Sequence, residues 1–413
     1  MLLLSEDKAL QGNNKKLKVN QMEDAYLTQS IAAVTSGNRF SPEFHSSIEC
    51  KDGFDWHYLL KATRKNRVSS LLYFYQKEEK ENFPKNFFEE LEKDYCCTLA
   101  RNISIWDEIK PILKSLEEKE IEAILLKGIA LGVTIYPSIG FRPMSDVDIL
   151  IKDKDLFKVN KTLNRFGYVS IDINPQDIEI GKLEYLTTLN YRNKNLSLPL
   201  DIHLHRHLVN SGIPNFSYIS KINMTRIWQM ARLTEIFGIK ALFLSPEHLI
   251  VYLCEHSLRV THSLNRLILL ADISQAINYY QDKIDWDFLV KESYNFGLER
   301  MVYYGLYSVN RILRIDVPSN ILSILKPKRL TLGEKIFLSQ VAKNKSSPGL
   351  SYLVHLAMNK KHSQKIKFLF RTLFPPKKIL GQRSQISPSK INYLYYVSRL
   401  KEVLWHAIIS RLH

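Results

Sequence analysis

Residues Ile124–Phe157 read ILLKGIALGVTIYPSIGFRPMSDVDILIKDKDLF, and their pattern decides the fold of the chain. An apolar run ends at Lys127-Gly128, a helix-like segment follows to Tyr136, and Arg142 stands in the loop before Asp146-Val147-Asp148. A second apolar run, Ile149-Leu150-Ile151, marks a buried strand. Carboxylates two residues apart on a strand share a face, because side chains alternate across it. Two acids on one face of a buried strand are costly unless a cation neutralises them. Mg2+, which takes carboxylate oxygens and shares its shell with phosphates, suits that role. The stretch therefore predicts a phosphate-handling site.

Outward from it, Glu122–Lys127 predicts a strand, Gly128–Tyr136 a helix, Pro137–Ser145 a loop and Asp146–Ile151 a second strand. Lys154–Phe166 has helical spacing, and Gly167 stops it before a strand at Tyr168–Ile171. Glu184–Tyr191 and Leu196–Leu204 predict a hairpin across Arg192–Asn195. Strands and helices thus mix over 119–245, an α+β core. Helical spacing governs both flanks. Residues 23–118 form an N-terminal helical region with Trp56–Leu60, Val68–Tyr75 and Asn86–Leu116, after a flexible polar lead-in over 1–22. A helical domain over 246–325 carries His248–Arg259, Leu264–Tyr280, Trp286–Phe296 and Leu298–Ile312, and a basic helical segment over 326–413 follows.

At 413 residues, 45% hydrophobic, the chain can fill two or three domain cores, which excludes wholesale disorder. Cys50, Cys96, Cys97 and Cys254 form no CxxC pair, favouring reduced, mostly buried thiols in a cytoplasmic protein over a disulfide framework or zinc site. No signal-peptide apolar region develops after Met1, and no apolar run approaches the ~20 residues of a membrane span. The net charge of +16 is carried by the last segment: residues 326–413 hold 18 Lys/Arg against Glu334 and Glu402 alone, while residues 1–325 balance. That segment suits an anionic membrane surface or an acidic partner.

A third carboxylate, Asp201, lies in the β-like run Leu198–His203. If that strand lies beside Asp146 and Asp148, three acids converge, enough for two divalent cations in an in-line phosphoryl displacement. Lys127 and the Gly128 amide, at a strand-to-helix turn, and the fork of Arg142 are candidates for holding a triphosphate. His203 contacts the nucleotide or orients Asp201 on this reading. Alternation of His203, His205 and His207 also admits zinc, but the strand ends near Arg206 and the acids favour a harder metal.

Lys127-Gly128, Tyr136-Pro137, Arg142, Asp146-x-Asp148, Leu150 and Gly167-Tyr168 resemble the DNA polymerase β-type nucleotidyltransferase superfamily, and within it a bacterial family of uncharacterised nucleotidyltransferases. The similarity continues through Asp201-x-His203, His248, His256, Leu267–Asp272, Ile284–Trp286 and Phe374–Pro376. The superfamily's first motif places serine after the glycine; here Ile129 follows Gly128, and the narrower family has Lys-Gly at this point. The resemblance implies a mixed sheet with helical flanks and two Mg2+ (or Mn2+) on Asp146, Asp148 and Asp201. It also implies transfer of a nucleoside monophosphate from an NTP with release of pyrophosphate. ATP is the preferred donor, and a hydroxyl or phosphate of a small molecule, peptide or protein is the acceptor. His256 and Asp272 become candidates for the acceptor site. The competing readings are a catalytically silent nucleotide-binding scaffold and a nucleic-acid end-modifying enzyme, whose binding would be strongly salt-dependent.

Overall fold

The computed structural model describes residues 21–36, 54–171, 187–193, 195, 199–209, 218–259, 262–343, 349–359, 361–377, 380, 391–398 and 400–401. Most of the expected lead-in (1–20), the loop at 381–389 and Cys50 lie outside the described residues. Strand β1 is Ala123–Leu126, β2 Asp146–Ile151, β3 Val169–Ser170, β4 Thr188–Arg192, β5 Asp201–His205, β6 Arg232–Ile236 and β7 Ile239–Phe243. They form one mixed sheet in the order β3-β4-β5-β2-β1-β7-β6. At its centre β2 runs antiparallel to β1 and parallel to β5. The expected hairpin is the antiparallel β4–β5 pair.

The period-2 alternation of β2 sorts two cores. Val147, Ile149 and Ile151 pack with Ile109 and Ile112 of the long helix Lys85–Glu117 and with Leu163 of the helix Leu156–Arg165. Leu150 faces the other way, with Ile124 and Leu126 of β1, into a second cluster shared with the helices Pro246–Ser257 and Leu267–Tyr280. Asp146 and Asp148 lie on the Leu150 face by the same alternation. The acids therefore look out of the sheet at its junction with the C-terminal helices.

The β6–β7 hairpin goes beyond the sequence expectation. Four of its first strand's five residues are exposed, so no apolar alternation announces it. Its turn, Phe237-Gly238, has φ of +51° and +76°, the doubly left-handed geometry of a two-residue hairpin turn. Through β7 the hairpin pairs in parallel with β1. Ser245 then caps the helix Pro246–Ser257, accepting from the His248 amide, with Pro246 in its first turn. A second correction concerns the thiols: Cys96 and Cys97 are exposed on the long helix and only Cys254 is buried among the described cysteines. No helix among the described residues is long and apolar enough to cross a membrane.

Candidate active site

Three elements deliver the site. Strand β2 carries Asp146 and Asp148, and parallel pairing sets Asp201 level with Asp146 and His203 level with Asp148. Where β1 ends, the chain turns directly into the helix Lys127–Thr134. Lys127 makes that turn with φ +51°, a left-handed conformation that costs a residue with a Cβ about 1–2 kcal/mol. Gly128 follows in a tight space: a Cβ there would lie 2.5 Å from Arg142 Nη1 and 3.2 Å from Met144 Cγ, so the Arg142 side chain would have to move. The loop that brings Arg142 is held from behind by the fully buried Asn102. Its amide donates to the carbonyls of Ile139 and, at 2.9 Å, Arg142, and its Oδ1 accepts from Met144 N at 3.3 Å.

Asp148 is the hub. It is 2% exposed, and its Oδ1 accepts from Lys127 Nζ at 2.5 Å and His205 Nε2 at 2.7 Å. His203 Nδ1 lies 3.2 Å from Asp146 Oδ2 and 3.4 Å from Asp148 Oδ1. Burial opposes charge on the two acids and the two histidines, and the outcome differs by neighbour. Despite it, Lys127 and the two histidines hold the Asp148 carboxyl well below its ordinary range. Despite it, the two carboxylates raise the His203 imidazole to about 10. For His205 burial wins over Asp148, and its pKa falls to about 4. His205 is therefore neutral at pH 7; facing a carboxylate, its Nε2 must carry the proton, leaving Nδ1 to Thr188 Oγ1 at 3.2 Å.

These groups open on a cavity of about 420 Å³ lined also by Arg67, Gly128, Arg142, His256, Arg259, His262 and Arg266. A family profile described as uncharacterised nucleotidyltransferase matches residues 52–314, the span that contains every one of these residues. The chain belongs to that family. Comparison with curated proteins gives no match. The protein is thus a nucleotidyltransferase with an α+β core and helical flanks.

Of the residues singled out in the sequence, the nucleotidyltransferase brings Asp146, Asp148 and His203 together, with ligand atoms all within 4.8 Å of one another. Two carboxylate oxygens and an imidazole nitrogen are a donor set for a divalent cation. The raised pKa of His203 fits this, since an imidazolium between two carboxylates stands where positive charge is favoured. Asp201 shares the face but not this cluster: Arg192 forks its carboxylate from the neighbouring strand, with Nε and Nη2 each 2.6 Å from an oxygen. Lys127 and Gly128 line the cavity, but the Lys127 ammonium is committed to Asp148. Arg142 also lines it, with its fork on Asp272: Nη2 to Oδ2 is 2.9 Å and Nε to Oδ1 3.2 Å. Asp272 is 2% exposed, accepts a further bond from Tyr136 Oη at 2.8 Å, and is not among the cavity-lining residues. His256 does line the cavity. Its ring lies 4.5 Å from that of His262, and its buried Nδ1 has no hydrogen-bond partner among the described residues.

His205 was legible through its i+2 spacing from His203, though only pairing reveals that it serves Asp148 rather than a metal. Arg67, Arg259, His262 and Arg266 carry no local motif, because folding alone brings their segments to the sheet.

Proposed function

We propose that this nucleotidyltransferase transfers a nucleoside monophosphate, AMP by preference, from an NTP to a hydroxyl or phosphate of a small-molecule, peptide or protein acceptor, releasing pyrophosphate. The observation that carries the reading is the Asp146–Asp148–His203 donor cluster opening on a cation-lined cavity. Asp146, Asp148 and His203 would hold a divalent cation, which supplies charge neutralisation for the phosphates and activation of the attacking oxygen. The nitrogen donor makes Mn2+ an acceptable substitute for Mg2+. Asp201, level with Asp146 on the same face, would complete an all-oxygen set for a second ion once Arg192 releases it. Gly128 lets the chain and Arg142 approach the phosphates closely, and Asp272 keeps the Arg142 fork aimed. His205 and Lys127 fix the Asp148 carboxylate in place and in its ionised form. His256, on the cavity wall, belongs to the acceptor side of this reading. The cytoplasm, as the compartment rich in NTP and Mg2+, is where this chemistry would run.

The test is pyrophosphate release with Mg2+ or Mn2+, each NTP in turn and a panel of hydroxyl and phosphate acceptors. Asp146→Asn and Asp148→Asn should each abolish it, and release that survives both substitutions refutes the proposal. Tight nucleotide binding without turnover in the wild type selects the silent scaffold instead.

For the basic segment we propose an anionic membrane surface as partner. The helix His362–Leu373 turns Ile366, Leu369 and Phe370 to solvent, one apolar stripe at helical spacing, while Phe368 and Thr372 face inward. Lys365, Lys367 and Arg371 flank the stripe in sequence. Sedimentation with phosphatidylserine vesicles, lost in Phe370→Ser and in high salt, tests this; equal sedimentation with neutral vesicles refutes it.

A further inference from the structure

Five lysine or arginine side chains line the cavity beside the acids: Arg67, Lys127, Arg142, Arg259 and Arg266. Three are neutralised internally. Lys127 pairs with Asp148 at 2.5 Å, Arg142 with Asp272 at 2.9 Å, and Arg259 with Glu255 at 2.7 Å. The other two have no carboxylate within ion-pair distance among the described residues. Arg67 donates one bond, from Nη2 to the Pro143 carbonyl at 3.1 Å, and is otherwise open to the cavity.

Two features of the backbone show that this pair is built. Arg67 ends the helix Trp56–Asn66 in the left-handed conformation, φ +60°, where glycine is the default and a side chain costs energy. Arg266 stands at the N-cap of the helix Leu267–Tyr280, where it cannot serve as a cap. The cap comes instead from the residue beside Arg67. Asn66 Oδ1 accepts from Leu267 N at 3.0 Å, while its Nδ2 donates to the Ala62 carbonyl at 2.9 Å. One hydrogen bond between segments 201 residues apart thus fixes the neighbours of both arginines. Each arginine occupies a position that its own helix would fill better with another residue, glycine in one case and serine or aspartate in the other.

The geometry points to a phosphate clamp made of Arg67 and Arg266, whose adjoining residues the Asn66–Leu267 bond holds together and which line the same cavity as the acid cluster. Guanidinium forks match phosphate oxygens in pairs, whereas an ammonium would not hold their orientation. The first turn of the helix Leu267–Tyr280 adds its own positive end to the same spot. Burial lowers the Arg67 pKa, and the charges of Arg142 and Arg266 lower it further against the opposing pull of Asp146 and Asp272, a cost that an anion between the arginines relieves. The ligand chemistry is a phosphate group, from either the tail of the NTP or a phosphate carried by the acceptor. The clamp rests on the proposed nucleotidyl transfer for its purpose, but its existence is tested by binding alone. Both arginines come from outside the catalytic sheet, so the helical flanks complete the site.

Calorimetry on the full chain with tripolyphosphate and with inorganic phosphate, before and after saturation with a non-hydrolysable ATP analogue and Mg2+, tests this. Arg67→Gln and Arg266→Gln should each weaken tripolyphosphate binding by about tenfold or more, the scale of one charge-assisted hydrogen bond. If the nucleotide blocks phosphate binding, the clamp holds the NTP tail; if phosphate still binds the loaded protein in an arginine-dependent way, it holds an acceptor phosphate. Arg266 is exposed, so its variant keeps the test valid should Arg67→Gln unfold. Affinity within about twofold of wild type in both variants overturns the clamp. Arginine-dependent phosphate binding in a wild type that releases no pyrophosphate leaves the clamp standing and removes the catalytic reading.

Discussion

At Lys127 the usual ranking of alanine over glycine should invert. The residue opens the helix Lys127–Thr134, and within a helix alanine exceeds glycine by about 1 kcal/mol. Here, however, φ is +51°, and a Cβ in that conformation costs about 1–2 kcal/mol. Glycine removes this clash and gives back about 0.5–1 kcal/mol through the greater entropy of its unfolded chain. Lys127→Gly and Lys127→Ala both delete the ammonium that Asp148 accepts, so the lost ion pair cancels between them. The remainder favours glycine by up to about 1.5 kcal/mol, centred near ~0.75. Urea unfolding of the two variants, followed by circular dichroism, measures the difference directly. Ser104, exposed inside the long helix, provides the control: Ser104→Ala should exceed Ser104→Gly by about 1 kcal/mol. Alanine better than glycine at 127 refutes the strained turn, and with it the account of how Lys127 reaches the acid cluster.

Three further outcomes follow from the packing. Asp272→Asn deprives the Arg142 fork of its charged partner and should lower kcat/KM for pyrophosphate release by about 10–100-fold, the scale of a lost hydrogen bond to a charged group, whereas Tyr136→Phe, losing one neutral donor, should do less. Equal effects would refute the assignment. Gly305→Ala, normally a gain in a helix, should destabilise by about 1–3 kcal/mol, because the new Cβ would lie 2.5 Å from Cys254 Sγ and 2.9 Å from its Cβ; adding Cys254→Ala removes only the sulfur contact and should restore part of the loss in urea unfolding, and no recovery would refute the clash. Burial lowers the fully buried His355 from 6.5 to about 4, so between those values the unfolded chain binds the proton and the folded one does not. Its stabilisation is therefore complete above about pH 6.5 and is lost as the pH falls towards 4; His205 acts in the same direction. The drop in urea midpoint from about pH 7 to about pH 5 should shrink in His355→Leu, and an unchanged drop would refute it.

The central strands were legible because burial and chemistry agree there. In Asp146–Ile151 the acids and Leu150 take one face and Val147, Ile149 and Ile151 the other, so one pattern reports both the strand and the acid pair it presents. Strand β6 lacks that agreement: its residues are exposed, and the turn that makes it a hairpin rests on Phe237 accepting a left-handed φ, which residue type does not signal. Within the site, spacing established which residues share a face but not which partners they choose. Asp201 lies where the pattern puts it, yet Arg192, directly opposite on β4, takes its carboxylate, while His203 takes the place beside Asp146 and Asp148. Arg67 and Arg266 were illegible for a different reason. Their meaning depends on a bond from Asn66 to Leu267 that no local window contains.

Asn102 has a consequence for timing. By holding the carbonyls of Ile139 and Arg142 and the amide of Met144 from a fully buried position, it makes the segment ahead of β2 part of the rigid body of the long helix. That segment cannot serve as a gate. On the proposed function, substrate meets an Arg142 already in position, so the ordering entropy that mobile loops lose on capture has been met during folding. Association at this wall of the cavity should then be a single concentration-dependent phase, without the slow second phase of a closing loop.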